Sequence, residues 1–272
     1  MFNRNLIAVK EVMYSLFIVL TLMACKENKK DTADVGTPSN EVSAPDPEVA
    51  DIKIIPIAHA TAIVEWENLT IYIDPTGGET AFEGQRIPDL ILITDIHGDH
   101  FNLETLEALN TQKAKIIVPP AVAEKMPDTF VPQIDVLQNG ETKERYGITV
   151  EAIPMYNLRE DALQFHTKGR GNGYVLTIGG QRIYFSGDTE DIPEMRALKN
   201  IDKAFVCMNL PYTMTVQNAA DAVLEFKPKQ IYPYHYRGNP DVSNVAEFKT
   251  LVNAGNAAIE VVQLDWYPGE SY

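Results

Sequence analysis

Asp89-Leu90-Ile91-Leu92-Ile93-Thr94-Asp95-Ile96-His97-Gly98-Asp99-His100 joins a fold signal to a chemical one. Residues 89–94 form a short, almost unbroken apolar run, the pattern of a strand covered on both faces. Residues 95–100 then place two carboxylates and two imidazoles close together. Neither a strand nor a helix points four such neighbours the same way. A tight loop can converge them, and Gly98 permits one. Imidazole together with carboxylate suits zinc, iron or manganese. A polar loop with incidental acids is the plainer alternative. The local density of ligands and their place at a strand end argue against it.

Outward from this stretch, 52–57, 61–66 and 70–73 are β-prone, with Asn68 as punctuation between the last two. Asn102 can cap a helix that carries Leu103, Leu106 and Leu109 at helical spacing. Further on, 115–118 reads as strand and 121–125 as a short helix. Strand candidates follow at 134–137, 142–145, 148–153, 174–178 and 182–185. The last part alternates: strand 203–208, helix 216–226, strand 230–234, helix 242–254, strand 258–264. Two groups of strands, each with later helices, suit two sheets packed face to face with helices outside. No second linker or obvious repeat interrupts residues 51–272, which read as one domain, and periodicity by itself supports only a mix of α and β.

The N-terminus has a different character. Arg4 and Lys10 precede an apolar run over 13–24, shorter than the roughly 20 residues of a spanning helix. A signal peptide over 1–24 is expected, with a buried first helix or a spanning anchor as the alternative. Leu22-Met23-Ala24-Cys25 resembles the lipobox of bacterial lipoproteins. That resemblance implies export, cleavage before Cys25, a diacylglycerol on its sulfur, and a lipid-anchored protein of the bacterial cell envelope. Residues 25–50 then form a lipidated cysteine and a linker of charged residues, Ser, Pro and Gly with little to bury. The other cysteine, Cys207, lies in an apolar run and reads as a small core hydrophobe. A Cys25–Cys207 disulfide would tie a tether to a core strand and is disfavoured. The formal net charge of -15 argues against nucleic-acid partners.

Four of the five histidines, His59, His97, His100, His166 and His235, stand beside turn or strand-end signals. The run from Asp95 to His100 resembles the HxHxDH signature of the metallo-β-lactamase superfamily. Asp74-Pro75 looks like the family's early DP turn, Ser186-Gly187-Asp188-Thr189 like its SGDT strand end, and Tyr234-His235 like its last metal histidine. The subgroup most resembled is the ascorbate-phosphate lactonase-like branch with its lipoprotein relatives. The resemblance implies a four-layer αββα sandwich and a binuclear site. Asp95, His97 and His166 would hold the first of two divalent metal ions, Asp99, His100 and His235 the second, and Asp188 would bridge them. Zinc is the first expectation, with manganese or iron as alternatives. Two such ions make hydroxide from a shared water near neutral pH, which Asp99 would orient for catalysis.

One position departs from the signature: its first histidine is Asp95 here. A carboxylate favours harder ions, so Asp95→His is expected to shift preference toward zinc. His59 reads as a second-shell or substrate-binding residue, or equally as a satisfied core histidine. Asp74 reads as a carboxylate that supports a ligand, or as an ordinary turn residue. Lys168 and Arg170 suit an anionic group on a small-molecule substrate, or a solvated loop. Tyr212 is a candidate catalytic and substrate-binding donor to an oxyanion or leaving group, or a packed loop tyrosine. The function implied is hydrolysis of an ester, lactone or phosphodiester by a metal-bound hydroxide. An iron-dependent thiol oxidoreductase and a non-catalytic binding lipoprotein are the alternatives, which metal content discriminates.

Overall fold

The computed structural model describes residues 51–269. The expectations for residues 1–24 and 25–50, Cys25 included, therefore lie outside the described residues. Six strands form the first sheet in chain order: β1 (Lys53–Ala58), β2 (Thr61–Trp66), β3 (Leu69–Ile73), β4 (Leu90–Leu92), β5 (Lys115–Val118) and β6 (Ile134–Val136). Strands β3 to β6 run parallel. The run 89–94 is apolar throughout because β4 has two cores. Leu90 and Leu92 face the second sheet, while Ile91 and Ile93 pack with Tyr72 and Leu106 on the opposite side. Helix α1 (Leu103–Ala108) supplies Leu106, and Asn102 caps it by accepting from Thr105 N.

The second sheet runs β7 (Thr142–Arg145), β8 (Ile148–Met155), β9 (Gly171–Ile178), β10 (Gln181–Phe185), β11 (Lys203–Val206), β12 (Gln230–Pro233) and β13 (Glu260–Val261), also in neighbour order. From β10 to β13 the pairing is parallel. Register places Phe185, Phe205 and Tyr232 side by side. Their rings stack with centroids 4.3 and 4.5 Å apart. Neighbouring Tyr184 points the other way and meets Phe226 edge-on. Phe226 belongs to α4 (Val216–Phe226), capped by Thr215 and packed with α5 (Val245–Gly255). Fully burying a large apolar side chain contributes about 1.5–3 kcal/mol, so the paired faces account for most of the drive to this arrangement. Helix, sheet, sheet, helix is the αββα sandwich. Two shorter helices, α2 (Pro120–Ala123) and α3 (Pro193–Arg196), complete the set described.

Several strand ends differ from the sequence expectation, with a local cause. β4 stops at Leu92 because the Thr94 N–H donates to the Asp74 carboxylate (2.7 Å) instead of to a ladder. β11 stops at Val206 because the Cys207 N–H donates to Ser186 Oγ. β9 begins at Gly171, earlier than 174, and takes in the glycine-rich approach. A Cβ on Gly171 would lie 2.8 Å from Thr94 O. Only glycine lets the two sheets close there, and the Asn172 N–H then donates to Thr94 O at 2.9 Å. Helix 242–254 starts instead at Val245, behind the Asn244 cap, and 258–264 pairs only at Glu260–Val261. Among the described residues, no helix is long and apolar enough to cross a membrane.

Candidate metal centre

The acids and histidines gather where parallel strands end. Asp74 follows β3, the 95–100 loop follows β4, Asp188 follows β10 and His235 follows β12. His59 makes the turn between β1 and β2, and His166 lies on the loop before β9. Carboxyl ends of parallel strands are where open α/β sheets leave room for ligands. Three of these residues turn with positive φ: His59 (55°), Asp74 (45°) and His235 (45°). That conformation costs a non-glycine residue about 1–3 kcal/mol. Main-chain bonds hold it: His59 N donates to Trp266 O, Asp74 N to Leu92 O, and His235 N to His59 O. Gly187 has φ +60°, and a Cβ there would lie 2.5 Å from Met155 Sδ. Glycine thus lets the end of β10 bring Asp188 against the end of β4.

Two ligand groups result. Asp99, His100, Asp188 and His235 offer atoms all within 4.8 Å of one another, and Asp95, His97 and His166 do the same. Asp188 stands between the groups. Its Oδ2 lies 3.2 Å from His166 Nε2 and 3.3 Å from His100 Nε2, and its Oδ1 lies 3.2 Å from His235 Nε2. Asp99 Oδ2 is 3.4 Å from His235 Nε2 and from His59 Nε2. His97 Nδ1 is 2.8 Å from Asp95 Oδ2.

The donor chemistry fits metal. His100 Nδ1 lies 2.8 Å from Asp74 Oδ2, whose carboxylate also accepts the Thr94 N–H and hydroxyl. That bond places the ring proton on Nδ1 and turns the Nε2 lone pair inward, the usual support for a metal histidine. His100 Nε2 then faces His235 Nε2 at 3.1 Å. Asp188 Oδ1 is buried and makes no well-formed hydrogen bond despite the nearby His235 nitrogen. Lone pairs and two carboxylates converging on one point call for a cation between them.

The electrostatics agree. Burial alone would raise the Asp188 carboxyl, but His235, His100 and His166 hold it well below the usual range. Asp188 and Asp74 also draw positive charge to His100 against burial, a charge that an ion on Nε2 would carry in place of a proton. Asp99 is likewise held low against burial by His235 and His59. Burial pushes the Cys207 thiol up to about 12, which fits a core residue and provides no thiolate ligand.

Beside these groups is a cavity of about 300 Å³, walled by Phe165, Asn209 and Tyr212 over a floor of His97, Asp99, His166 and Asp188. A larger hollow of about 520 Å³ lies by Tyr72, Phe82 and Ile87 and carries no histidine, so size does not choose the site. Tyr212 is on the cavity wall, as the sequence suggested. His59 packs over His235 with ring centroids 3.9 Å apart, and its Nδ1 meets the Tyr267 hydroxyl at 2.8 Å. It lies against the candidate ligands Asp99 and His235 and is not among the residues that line the cavity. Lys168 and Arg170 are not on the wall. Lys168 is paired with Glu194 (2.7 Å) and Arg170 with Asp95 (2.8 Å), so neither charge is turned to a substrate. Phe165, Asn209, Thr94 and Tyr267 escaped the sequence reading. Phe165 and Asn209 adjoin residues already singled out, whereas nothing local marks Tyr267.

Comparison with known proteins places this geometry. Residues 53–235 match the model of the beta-lactamase superfamily domain. A UPF0173 metal-dependent hydrolase of Pyrococcus abyssi is 30% identical over 211 residues, covering 74% of this chain and 92% of its own. One from Thermococcus onnurineus is 32% identical over 67% of this chain and 80% of its own. A crystal structure from Parabacteroides distasonis, given as a metal-dependent hydrolase, superposes with a TM-score of 0.71 at 35% identity, over 79% of this chain and 94% of that one. The chain belongs to the metallo-β-lactamase superfamily, within its UPF0173 metal-dependent hydrolase family.

Proposed function

We propose that the chain hydrolyses an ester or lactone whose flanking group is uncharged. The carrying observation is the cavity wall. Phe165 and Tyr212 meet edge to face at 5.1 Å, and among the described residues no Lys or Arg lines the space. The nearby cations are engaged: Lys168 with Glu194, Arg170 with Asp95, and Arg159 with Glu190. Leu158, Leu163 and Leu210 are 46%, 46% and 37% exposed on the same two loops. Those loops are tied by bonds from Asn157 Nδ2 to Tyr212 O (2.6 Å) and from Arg159 Nη2 to Pro211 O (2.7 Å). An anionic substrate asks for charge-assisted donors from the protein, and the wall offers aromatic surface instead. This keeps the lactone chemistry of the resembled branch and disfavours its phosphate.

Divalent ions held by the two ligand groups would supply a water of lowered pKa and a Lewis acid. Zinc suits these nitrogen and oxygen donors, and manganese or iron also fit. Asp99, close to His59 and His235, orients the attacking water by accepting its hydrogen bond. Tyr212 donates a hydrogen bond to the oxygen that gains charge, and Phe165 packs on the substrate's organic group. A panel of aryl esters, lactones and aryl phosphodiesters tests this. Esters or lactones should be the better substrates. Tyr212→Phe should lower kcat by about 100-fold with little change in KM. Faster turnover of the phosphodiesters would contradict the reading.

The proposed place of action is the cell envelope, through a lipid on Cys25. Cys25→Ser should release the protein from membranes and remove the lipid mass from its N-terminal peptide. Membrane attachment without lipid in both proteins would contradict this.

A further inference from the structure

We infer that Asp95 and Arg170 act as one charge-neutral ligand unit, and that Arg170 is a positioning residue of the first metal group. This rests on the metal-centre reading above.

The pair is bidentate. Arg170 Nε donates to Asp95 Oδ1 at 3.0 Å and Nη2 to Asp95 Oδ2 at 2.8 Å. Planar guanidinium and carboxylate fit in this way only when both are held in register. The fold supplies that register. Asn172 N donates to Thr94 O, so the residues just outside this bond, Arg170 and Asp95, meet across the two sheets. The same Nη2 also donates to Phe165 O, beside His166. Arg170 therefore ties a carboxylate from one sheet to the loop that carries a histidine from the other.

Asp95 is fully buried, and the Arg170 side chain is partly buried beside it. With Arg170 along one edge, the remaining lone pair of Oδ2 faces His97 Nδ1, 2.8 Å away. Asp95 can then offer one oxygen to an ion it shares with His97 and His166, while its charge is cancelled from behind. The unit presents a single donor and no net charge, as a neutral imidazole does. Asp95→His alone is therefore not the simple exchange that the sequence suggests. It would leave the guanidinium without its carboxylate, held only by Phe165 O beside the cations, and a charge stranded there disfavours the ion.

Zinc titration of the chelator-stripped full chain by calorimetry tests this, with thermal unfolding of each apoprotein as a check on folding. Wild type should bind two ions. Asp95→His should weaken the ion held with His97 and His166 by about 10- to 100-fold, the range for disturbing the residues that support a metal site. Asp95→His/Arg170→Gln should regain most of that affinity. Arg170→Lys should lie between wild type and Arg170→Gln, because it keeps the charge and loses the fork. If Asp95→His fails to fold, Asp95→Asn should show the same loss and the same rescue by Arg170→Gln. Two ions bound equally well by the single and double variants would overturn the inference and leave the metal centre standing. A wild-type chain that binds no zinc, manganese or iron would overturn both.

Discussion

Asp188→Asn is expected to lose one metal ion and nearly all hydrolysis while keeping its fold. Among the described residues, Asp188 is the side chain that reaches both ligand groups, through His166 on one side and His100 and His235 on the other. Asparagine has nearly the same shape but no charge, and its amide places hydrogens where a cation needs lone pairs. Disturbing an outer partner of a metal ligand costs about 10- to 100-fold in affinity, and loss of a shared ligand should exceed that range. Activation of water is a requirement of the transition state, so the loss should fall on kcat more than on KM. Full metal content with unchanged kcat would show that Asp188 bridges nothing.

Asp74→Asn should produce nearly as large a loss from one layer further out. The Asp74 carboxylate accepts from Thr94 N (2.7 Å) and Thr94 Oγ1 (2.6 Å) and meets His100 Nδ1 at 2.8 Å, all out of contact with solvent. An amide nitrogen facing His100 would make Nδ1 the acceptor and move the ring proton to Nε2, the atom that faces the metal. Metal affinity should fall by about 10- to 100-fold. Asp74→Ala goes further, because it strands the buried Thr94 N–H and the imidazole. Each unsatisfied buried group costs about 1–3 kcal/mol. For a domain of this size the apoprotein's unfolding temperature should then drop on the order of 10 °C. Comparing the two variants separates the tautomer from the fold. An Asn variant with wild-type metal affinity would show that Asp74 does not set the His100 tautomer.

The fold was legible wherever burial alone decided the element. The run 89–94 could only be a strand covered on both sides, and β4 lies between two cores. Helix 216–226 and strands 61–66, 115–118 and 142–145 fall where periodicity put them. What the sequence missed is mostly tertiary. The Thr94 N–H leaves its ladder for a carboxylate 20 positions earlier, and no local pattern announces that. Asp74, the 95–100 loop, Asp188 and His235 stood out because each follows an apolar strand, whereas His166 lies on a loop before one. The charges of Lys168 and Arg170 were misplaced for the converse reason: their partners, Glu194 and Asp95, are distant in sequence. A cation in an acidic chain looks free until the fold shows what cancels it. His59 had its support from Tyr267, 208 positions away.

If Asp188 joins two cation sites that together hydrolyse a carboxylic ester, metal content and turnover must rise and fall together. Elemental analysis of the chain purified without added metal tests it most directly, followed by chelation and stepwise return of the ion while turnover of an aryl ester or lactone is followed. The account predicts two ions per wild-type chain, one in Asp188→Asn, and turnover that vanishes on chelation and returns as the second equivalent binds. Full turnover from a metal-free chain, or a single iron per chain with no hydrolysis at any loading, would contradict it.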